Sequence, residues 1–371
     1  MSTIVDEMTE YVESVDNAVK ESIKQIPDID IDGYCSEGCN GYVFFGNHLI
    51  FRKKVAIKYY YFGQNSHEEV TLLKSIKHKN ILPIWDAHSV RDGWAYFITD
   101  KMDNGTLDYL ISSHAISTNQ ATDIVRGILS GVGKMHEAPN FLLHRDLKPA
   151  NILLDNLNNP IIADFGSVKR LPQDLDRVVA TRHSALYRPP EAYDPCYYLC
   201  QSDIYQIGMV MYQLLGGHLS YDPLEYMSAR QMKQYYELPD DYTKSKYIDK
   251  ILYEKAKNAK LLCIDSLPPY THPKLISIIR KATHPDFTKR YKNTSEYFLH
   301  IHQLGSIPNW IKQDEECARC EYKSSYYRVT KTTKGYLLEK SKDGAKWRRI
   351  PGLGFEADEA EIYTKANSII S

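Results

Sequence analysis

The 371-residue chain has no apolar run long enough to cross a bilayer. Its longest, around residues 207 to 215, falls far short of the ~20 residues a spanning helix needs. An excess of one charge is missing as well. Lys and Arg number 46 against 47 Asp and Glu, a formal net charge of -1, so any attraction to nucleic acid or membrane must be local. Cysteine is sparse: seven residues, an odd number scattered through a long chain, make no disulfide framework. Residues 1–7 lack the basic-then-apolar order of a secretory signal. These absences together fit a reducing cytoplasm. What is present is globular material, 43% hydrophobic and 25% charged. It suffices for a two-lobed domain and one small extra module.

The stretch that organises the chain is His144, Arg145, Asp146, Leu147, Lys148, Pro149, Ala150 and Asn151, followed by Asp164, Phe165 and Gly166. Residues 152–154 and 161–163 read as two short strands around a turn at 156–160, a hairpin that brings Asn151 and Asp164 to one side. Transfer of a phosphoryl group needs this set: a carboxylate to orient a hydroxyl, a cation near the moving group, and oxygen ligands for magnesium. The stretch resembles the catalytic loop and metal-binding triplet of eukaryotic-type protein kinases.

The resemblance covers residues 34 to 307 and implies an α+β, bilobal kinase fold. It has a five-stranded antiparallel amino-terminal lobe with one helix and a mainly helical second lobe. The implied units are a helical extension (1–31), a kinase domain (32–307, lobes meeting near 101–102) and a small basic β-rich module (308–371). Within the first lobe, Ser36, Gly38, Gly41 and Val43 stand where a glycine loop would cover phosphates, with Ser36 in place of the first glycine and Asn40 where an aromatic is common. Lys58 ends the strand containing Ala56. Glu69 is its expected carboxylate partner, favoured over Glu68 because Leu72 and Leu73 would face the core with it. Strands are expected at 81–84 and 94–98. By resemblance Thr99 is the gatekeeper, Asp100 and Met102 offer backbone groups to adenine, Leu153 lies below it, and Asp103 or Asp108 reaches the ribose.

The activation segment runs from Asp164 to Glu191. Ser184 stands at the family's threonine position, where it would contact Asp146 and Lys148; both features resemble serine/threonine kinases. His183 and Pro189 depart from the family's glycine and alanine. Asp203 is expected to brace the catalytic loop, and Arg290 to pair with Glu191, a buried pair whose breakage costs ~3–5 kcal/mol. This peptide-docking ending favours protein over small-molecule substrates. Arg145 implies regulation by an anion, with Thr181 the candidate phosphosite and Ser167, Asp174 and Asp176 as alternatives.

The implied activity is transfer of the γ-phosphoryl of ATP to serine or threonine hydroxyls of proteins, with Mg²⁺, or Mn²⁺ in its place. Asp146, Lys148, Lys58, Glu69 and Ser184 serve catalysis, and Asn151 and Asp164 hold the metal. The rivals are a pseudokinase scaffold and a nucleic-acid-responsive kinase. Two segments fall outside the resemblance. Residues 4–26 carry apolar side chains at helical spacing, for the amino-terminal lobe or for a partner. In the tail, strands are read at 326–330, 336–340 and 345–350 with a helix over 357–369, after an exposed link at 313–316. Its basic residues, including Arg328, Lys340, Arg348 and Arg349, interleave with Tyr326, Tyr327, Tyr336 and Trp347: a solvated face or a nucleic-acid surface. Cys317 and Cys320 are half of a conceivable zinc site, with His300 and His302 as distant candidates.

Overall fold

The computed structural model describes residues 15–35, 41–61, 76–172, 174–180 and 184–370. Helix α1 (Asn17–Ile23) begins where the Asp16 carboxylate accepts the Ala18 N–H. Its apolar stripe, Val19 and Ile23 with Val15 before it, packs on Phe44 and Ile57. The helical pattern read over 4–26 therefore lies on the amino-terminal lobe in its described half; residues 1–14 are outside the described residues.

That lobe is a five-stranded antiparallel sheet of β1 (Ile29–Cys35), β2 (Tyr42–His48), β3 (Lys53–Tyr61), β4 (Asp86–Ser89) and β5 (Trp94–Asp100), in the order β1-β2-β3-β5-β4. Alternation on β3 buries Val55, Ile57 and Tyr59 under α1 and leaves Ala56 and Lys58 on the other face. Residues 81–84 are not the fourth strand. Ile81 instead bridges Ile162 in parallel, and Leu82 N–H donates to the Ile162 carbonyl, so these two residues are buried against the second lobe. Pro83, which has no N–H, suits the segment poorly for a ladder.

The second lobe is helical around short strand pairs. It comprises α2 (Leu107–Ser113), α3 (Thr118–His136), β6 (Leu142–Leu143), β7 (Ile152–Leu154), β8 (Pro160–Ile162), β9 (Lys169–Arg170), β10 (Val178–Val179), α4 (Pro190–Tyr193), β11 (Tyr197–Tyr198) and α5 (Cys200–Leu214). Then come α6 (Ala229–Tyr236), α7 (Asp241–Lys257), α8 (Pro273–Ala282) and α9 (Thr294–His302). Ser117 caps α3 by accepting the Gln120 N–H, and the helix buries Ile124, Val125, Ile128, Val132 and Met135. Its approach to the β7–β8 hairpin depends on Gly131, where a Cβ would lie 2.6 Å from Ile162 Cδ1 and 2.9 Å from the Asn80 carbonyl oxygen. α5 is buried nearly all round, as a helix at the centre of a lobe must be.

The tail has five strands rather than three. β12 (Asn309–Lys312), β13 (Cys317–Tyr322), β14 (Ser325–Thr332), β15 (Gly335–Ser341) and β16 (Arg348–Arg349) form an antiparallel meander in chain order, followed by α10 (Glu359–Ile370). Residues 313–316 are therefore the turn between β12 and β13, not a link between modules. α10 lays Ile362, Tyr363, Ala366 and Ile370 on the inner face of the sheet, against Ala318, Cys320, Tyr327, Val329 and Leu338. Cys317 and Cys320, three apart on β13, point to opposite faces and cannot share a metal. Among the described residues no three His, Cys, Asp or Glu side chains converge as a metal site. β12 joins the module to the lobe above it. Asn309 Oδ1 accepts the Asn119 N–H at 2.9 Å at the start of α3, and Trp310 stacks on Tyr270 with ring centroids 5.9 Å apart.

Trp310, 1% exposed, also meets Tyr363 edge-on at 5.2 Å. Its replacement by Ala is expected to cost ~3–5 kcal/mol and to loosen the tail from the lobe. Limited proteolysis should then cleave near residues 303–316 in the variant while sparing wild type; an unchanged digestion pattern would refute this packing role.

Candidate active site

Four elements converge where the two lobes meet. β3 supplies Lys58, the turn before β7 supplies Asp146, Lys148 and Asn151, the residues after β8 supply Asp164, and the segment before α4 supplies Ser184. Lys58 Nζ donates to Asp164 Oδ1 at 3.1 Å, joining residues 106 apart in sequence. Burial pushes the Asp164 carboxyl up, but the neighbouring Lys58 ammonium outweighs it and holds the group below the ordinary carboxylate range. Lys148 Nζ donates both to Asp146 Oδ2 at 3.0 Å and to Ser184 Oγ at 2.7 Å. Asn151 Nδ2 donates to the Asp146 carbonyl at 2.7 Å and to Oδ2 at 3.0 Å, which leaves its Oδ1 as the amide's acceptor. Asp146 Oδ1 is buried and has no hydrogen-bond partner among the described residues. A buried carboxylate oxygen without a donor is costly unless something outside the chain supplies one.

The catalytic loop is held from beneath by α5. Asp203, wholly buried, accepts the His144 N–H with Oδ2 and the Arg145 N–H with Oδ1, both at 2.8 Å. One turn later Gln206 accepts the Leu147 N–H at 2.9 Å and donates to the Arg145 carbonyl at 3.0 Å. Gln206 was not singled out from sequence; its spacing of three from Asp203 on a helix was the available signal. These bonds hold Arg145 at φ +69°, and Asp164 sits at φ +58°, a conformation costing of order 1–3 kcal/mol for a residue with a Cβ. His144 Nε2 lies 3.2 Å from the Ala163 carbonyl, connecting the loop to the residue before Asp164.

Arg145 donates to two carbonyls of the activation segment, Ser167 O at 2.6 Å and Val179 O at 3.3 Å, and lies over the Tyr198 ring. Glu191 receives Arg290 through two bonds of 2.7 and 2.8 Å, both side chains almost fully buried, with Ser202 Oγ donating to the same carboxylate. Tyr187 donates to Gln213 and lies 3.2 Å from the Tyr221 hydroxyl, which in turn donates to Asp108. Asp108 is thus engaged by Tyr221, and Asp103 by Lys54 at 3.1 Å.

Val43, Ala56, Met102 and Leu153 are half-buried. Val43 is paired with Lys58, and Ala56 with Thr99, in the sheet; Met102 and Leu153 pack on one cluster with Phe97. Thr99 is buried and donates to the Pro83 carbonyl at 2.6 Å, and Asp100 forms an exposed pair with Lys53. Gly41 adopts φ +132°, and a Cβ there would lie 1.9 Å from the Tyr59 carbonyl oxygen, so the strand after the loop can pass β3 only as glycine. Ser36, Gly38, Glu69 and Thr181 lie outside the described residues.

A family profile for the protein kinase domain matches residues 36–301, and the chain belongs to the protein kinase family. It is similar to the serine/threonine-protein kinase pelle of Drosophila melanogaster, 30% identical over 206 residues, which are 53% of this chain and 38% of pelle. The probable serine/threonine-protein kinase MARK-C of Dictyostelium discoideum is 28% identical over 214 residues, 55% of this chain and 27% of that protein. The serine/threonine-protein kinase PrkC of Bacillus subtilis is 29% identical over 190 residues, 48% and 29% of the two chains. The chain thus spans well under half the length of these curated relatives.

His136, at the end of α3, makes the Asp203 brace sensitive to pH. Its Nε2 lies 2.8 Å from Asp203 Oδ2. Burial alone would lower its pKa, but Asp203 and the Cys200 thiol reverse the effect and raise it to about 10. A folded-state pKa above the unfolded value stabilises fully below pH ~6.5 and loses that stabilisation as pH rises towards 10. The stability gap between wild type and His136→Gln in urea unfolding is therefore expected to narrow from pH 6.5 to 9.5. A gap that is constant or widens would refute the charged pair.

Proposed function

We propose that this protein transfers the γ-phosphoryl of ATP to serine or threonine hydroxyls of protein substrates. The observation that carries the reading is the unpartnered, buried Oδ1 of Asp146 beside the Lys148–Ser184 bond. In the proposed reaction this oxygen takes the hydrogen bond of the substrate hydroxyl and accepts its proton as the O–P bond forms. Lys148 neutralises charge on the moving phosphoryl, and Ser184 fixes the Lys148 ammonium. Lys58 holds the remaining phosphates, with Glu69 as its expected partner when it leaves Asp164.

The donors Asn151 Oδ1 and the Asp164 carboxylate are hard oxygens on one side of the cleft and fit Mg²⁺, or Mn²⁺ in its place. When bound, the metal would neutralise phosphate charge and fix the in-line geometry. Adenine is assigned to the slot bordered by Val43, Ala56, Thr99, Met102 and Leu153, with backbone groups of Asp100 and Met102 as partners, and the phosphates to Ser36, Gly38 and Gly41. Asp203, Glu191 and Arg290 act structurally. The working division of the chain is 1–31, 32–307 and 308–371, the last join falling just before the tail's first strand. Among the described residues no helix is long and apolar enough to cross a membrane.

Little covalent chemistry is asked of the chain, so misplacing one group should depress rate far more than stability. Asp146→Asn is expected to lose at least ~10²-fold in γ-phosphoryl transfer to a protein substrate, with an unchanged circular dichroism spectrum. Transfer at the wild-type rate by this variant would end the reading in favour of a scaffold.

Regulation follows from Arg145. Its guanidinium is partly desolvated and, among the described residues, hydrogen-bonds to carbonyls alone, so a phosphate would make a stronger, charge-assisted partner. Thr181, two residues beyond Val179, is the assigned site. Thr181→Ala is expected to fall about tenfold or more in kcat, and mass analysis of active wild type to find one phosphate between residues 164 and 191. Full activity of the variant without any such phosphate would rule this out.

A further inference from the structure

The strands of the tail are rich in basic residues. Between residues 317 and 355 there are ten Lys and Arg against three Asp and Glu, although the whole chain is balanced. Two of those acids are occupied internally. The Asp343 carboxylate accepts the N–H groups of Ala345 and Lys346 and so closes the β15–β16 turn. Glu339 binds Arg328 Nε at 2.7 Å. The third, Glu321, is exposed on β13 opposite Tyr326, on the same outer face as Arg319. The tail's other acids lie at the 314–316 turn and on or beside α10, which packs on the opposite face of the sheet.

Register gathers the arginines. Arg319 on β13 pairs directly with Arg328 on β14, Arg328 with Glu339 on β15, and Glu339 with Arg349 on β16. The four side chains therefore form one row on the face away from α10, ~14 Å across at the ~4.8 Å spacing of neighbouring strands. Trp347, half-buried, lies along this row with Arg328 at 4.5 Å and Arg319 at 5.7 Å from its ring centre. Tyr326 is on the same face, and Arg349 lies 4.9 Å from the Phe355 ring. Arg319 and Arg349 contact rings, and no carboxylate is within ion-pair distance of either among the described residues.

We propose that this outer sheet face binds a single strand of nucleic acid, its phosphates along the Arg319–Arg328–Arg349 row and its bases against Trp347 and Tyr326. A row of fixed positive charge interleaved with partly exposed rings is the surface on which a strand pairs its backbone and stacks its bases. A phosphopeptide would call for cations converging on one point. A membrane would call for protruding apolar side chains, and no large hydrophobic residue between 308 and 355 is exposed. A duplex groove is read by an inserted helix or ribbon, and this face is a broad sheet whose only helix lies behind it. The proposal is independent of the kinase reading.

The test uses the full chain and a fluorescein-labelled 20-nucleotide mixed-sequence single strand, DNA and RNA in turn, followed by anisotropy from 50 to 300 mM salt. Binding is expected for at least one of the two, weakening with salt. Arg319→Gln with Arg349→Gln should weaken it tenfold or more and reduce the log–log salt slope by about 1.4, two phosphates at ~0.7 each. Trp347→Leu should weaken binding without changing the slope. The charge-matched control Lys250→Gln with Lys274→Gln should bind as wild type does, and protein kinase activity and melting temperature should be the same in all variants. The proposal is overturned by absence of binding at 50 mM salt, by equal loss in the control, or by binding that the arginine variants leave intact. It is equally overturned if a duplex of the same sequence, a phosphopeptide or an anionic vesicle competes as well as the single strand.

Discussion

Two oxygens of one buried carboxylate hold the catalytic loop in shape. Asp203 takes the N–H groups of consecutive residues, His144 and Arg145, and so fixes a backbone that Arg145 would not adopt alone. A buried charge is tolerated only when fully hydrogen-bonded and paired. His136 supplies the pairing, and Gln206 extends the brace to Leu147. From that platform Asp146, Lys148 and Asn151 project together. The same helix reaches the activation segment, since Gln206 also donates to the Tyr187 carbonyl and Ser202 to Glu191. One helix face thereby sets the floor of the cleft and the ledge beside it.

The site was legible because its chemistry restricts residue type. A carboxylate, an ammonium and an amide within six positions, followed by a second carboxylate after a hairpin, leave few other readings. The chain brings Lys58, Asp146, Lys148, Asn151, Asp164 and Ser184 together from far-apart segments. Gln206 escaped notice because an amide on a long apolar helix carries no distinguishing pattern of its own. Asp103 or Asp108 is expected at the ribose from position alone; the fold adds that Asp103 pairs with Lys54 and Asp108 accepts from Tyr221.

Strand reading failed where no face was buried. β4 is exposed throughout, so it has no apolar alternation to detect, whereas Ile81 and Leu82 are apolar for a different reason, their burial against β8. In the tail, Ala318, Cys320 and Tyr322 alternate as a strand should. The two cysteines drew attention to metal chemistry instead, although an odd spacing on a strand separates them.

The way β12 meets α3 has a consequence for where the kinase domain of this chain ends. The family match stops at residue 301, yet the amide at the head of α3 is satisfied by Asn309, and Tyr270 is covered by Trp310. A fragment trimmed to the matched region would begin its longest helix with a bare N–H and present a stripped aromatic surface to solvent. The packed unit is therefore larger than the homologous one, and the meander belongs to the foundation of the kinase domain as much as to its periphery.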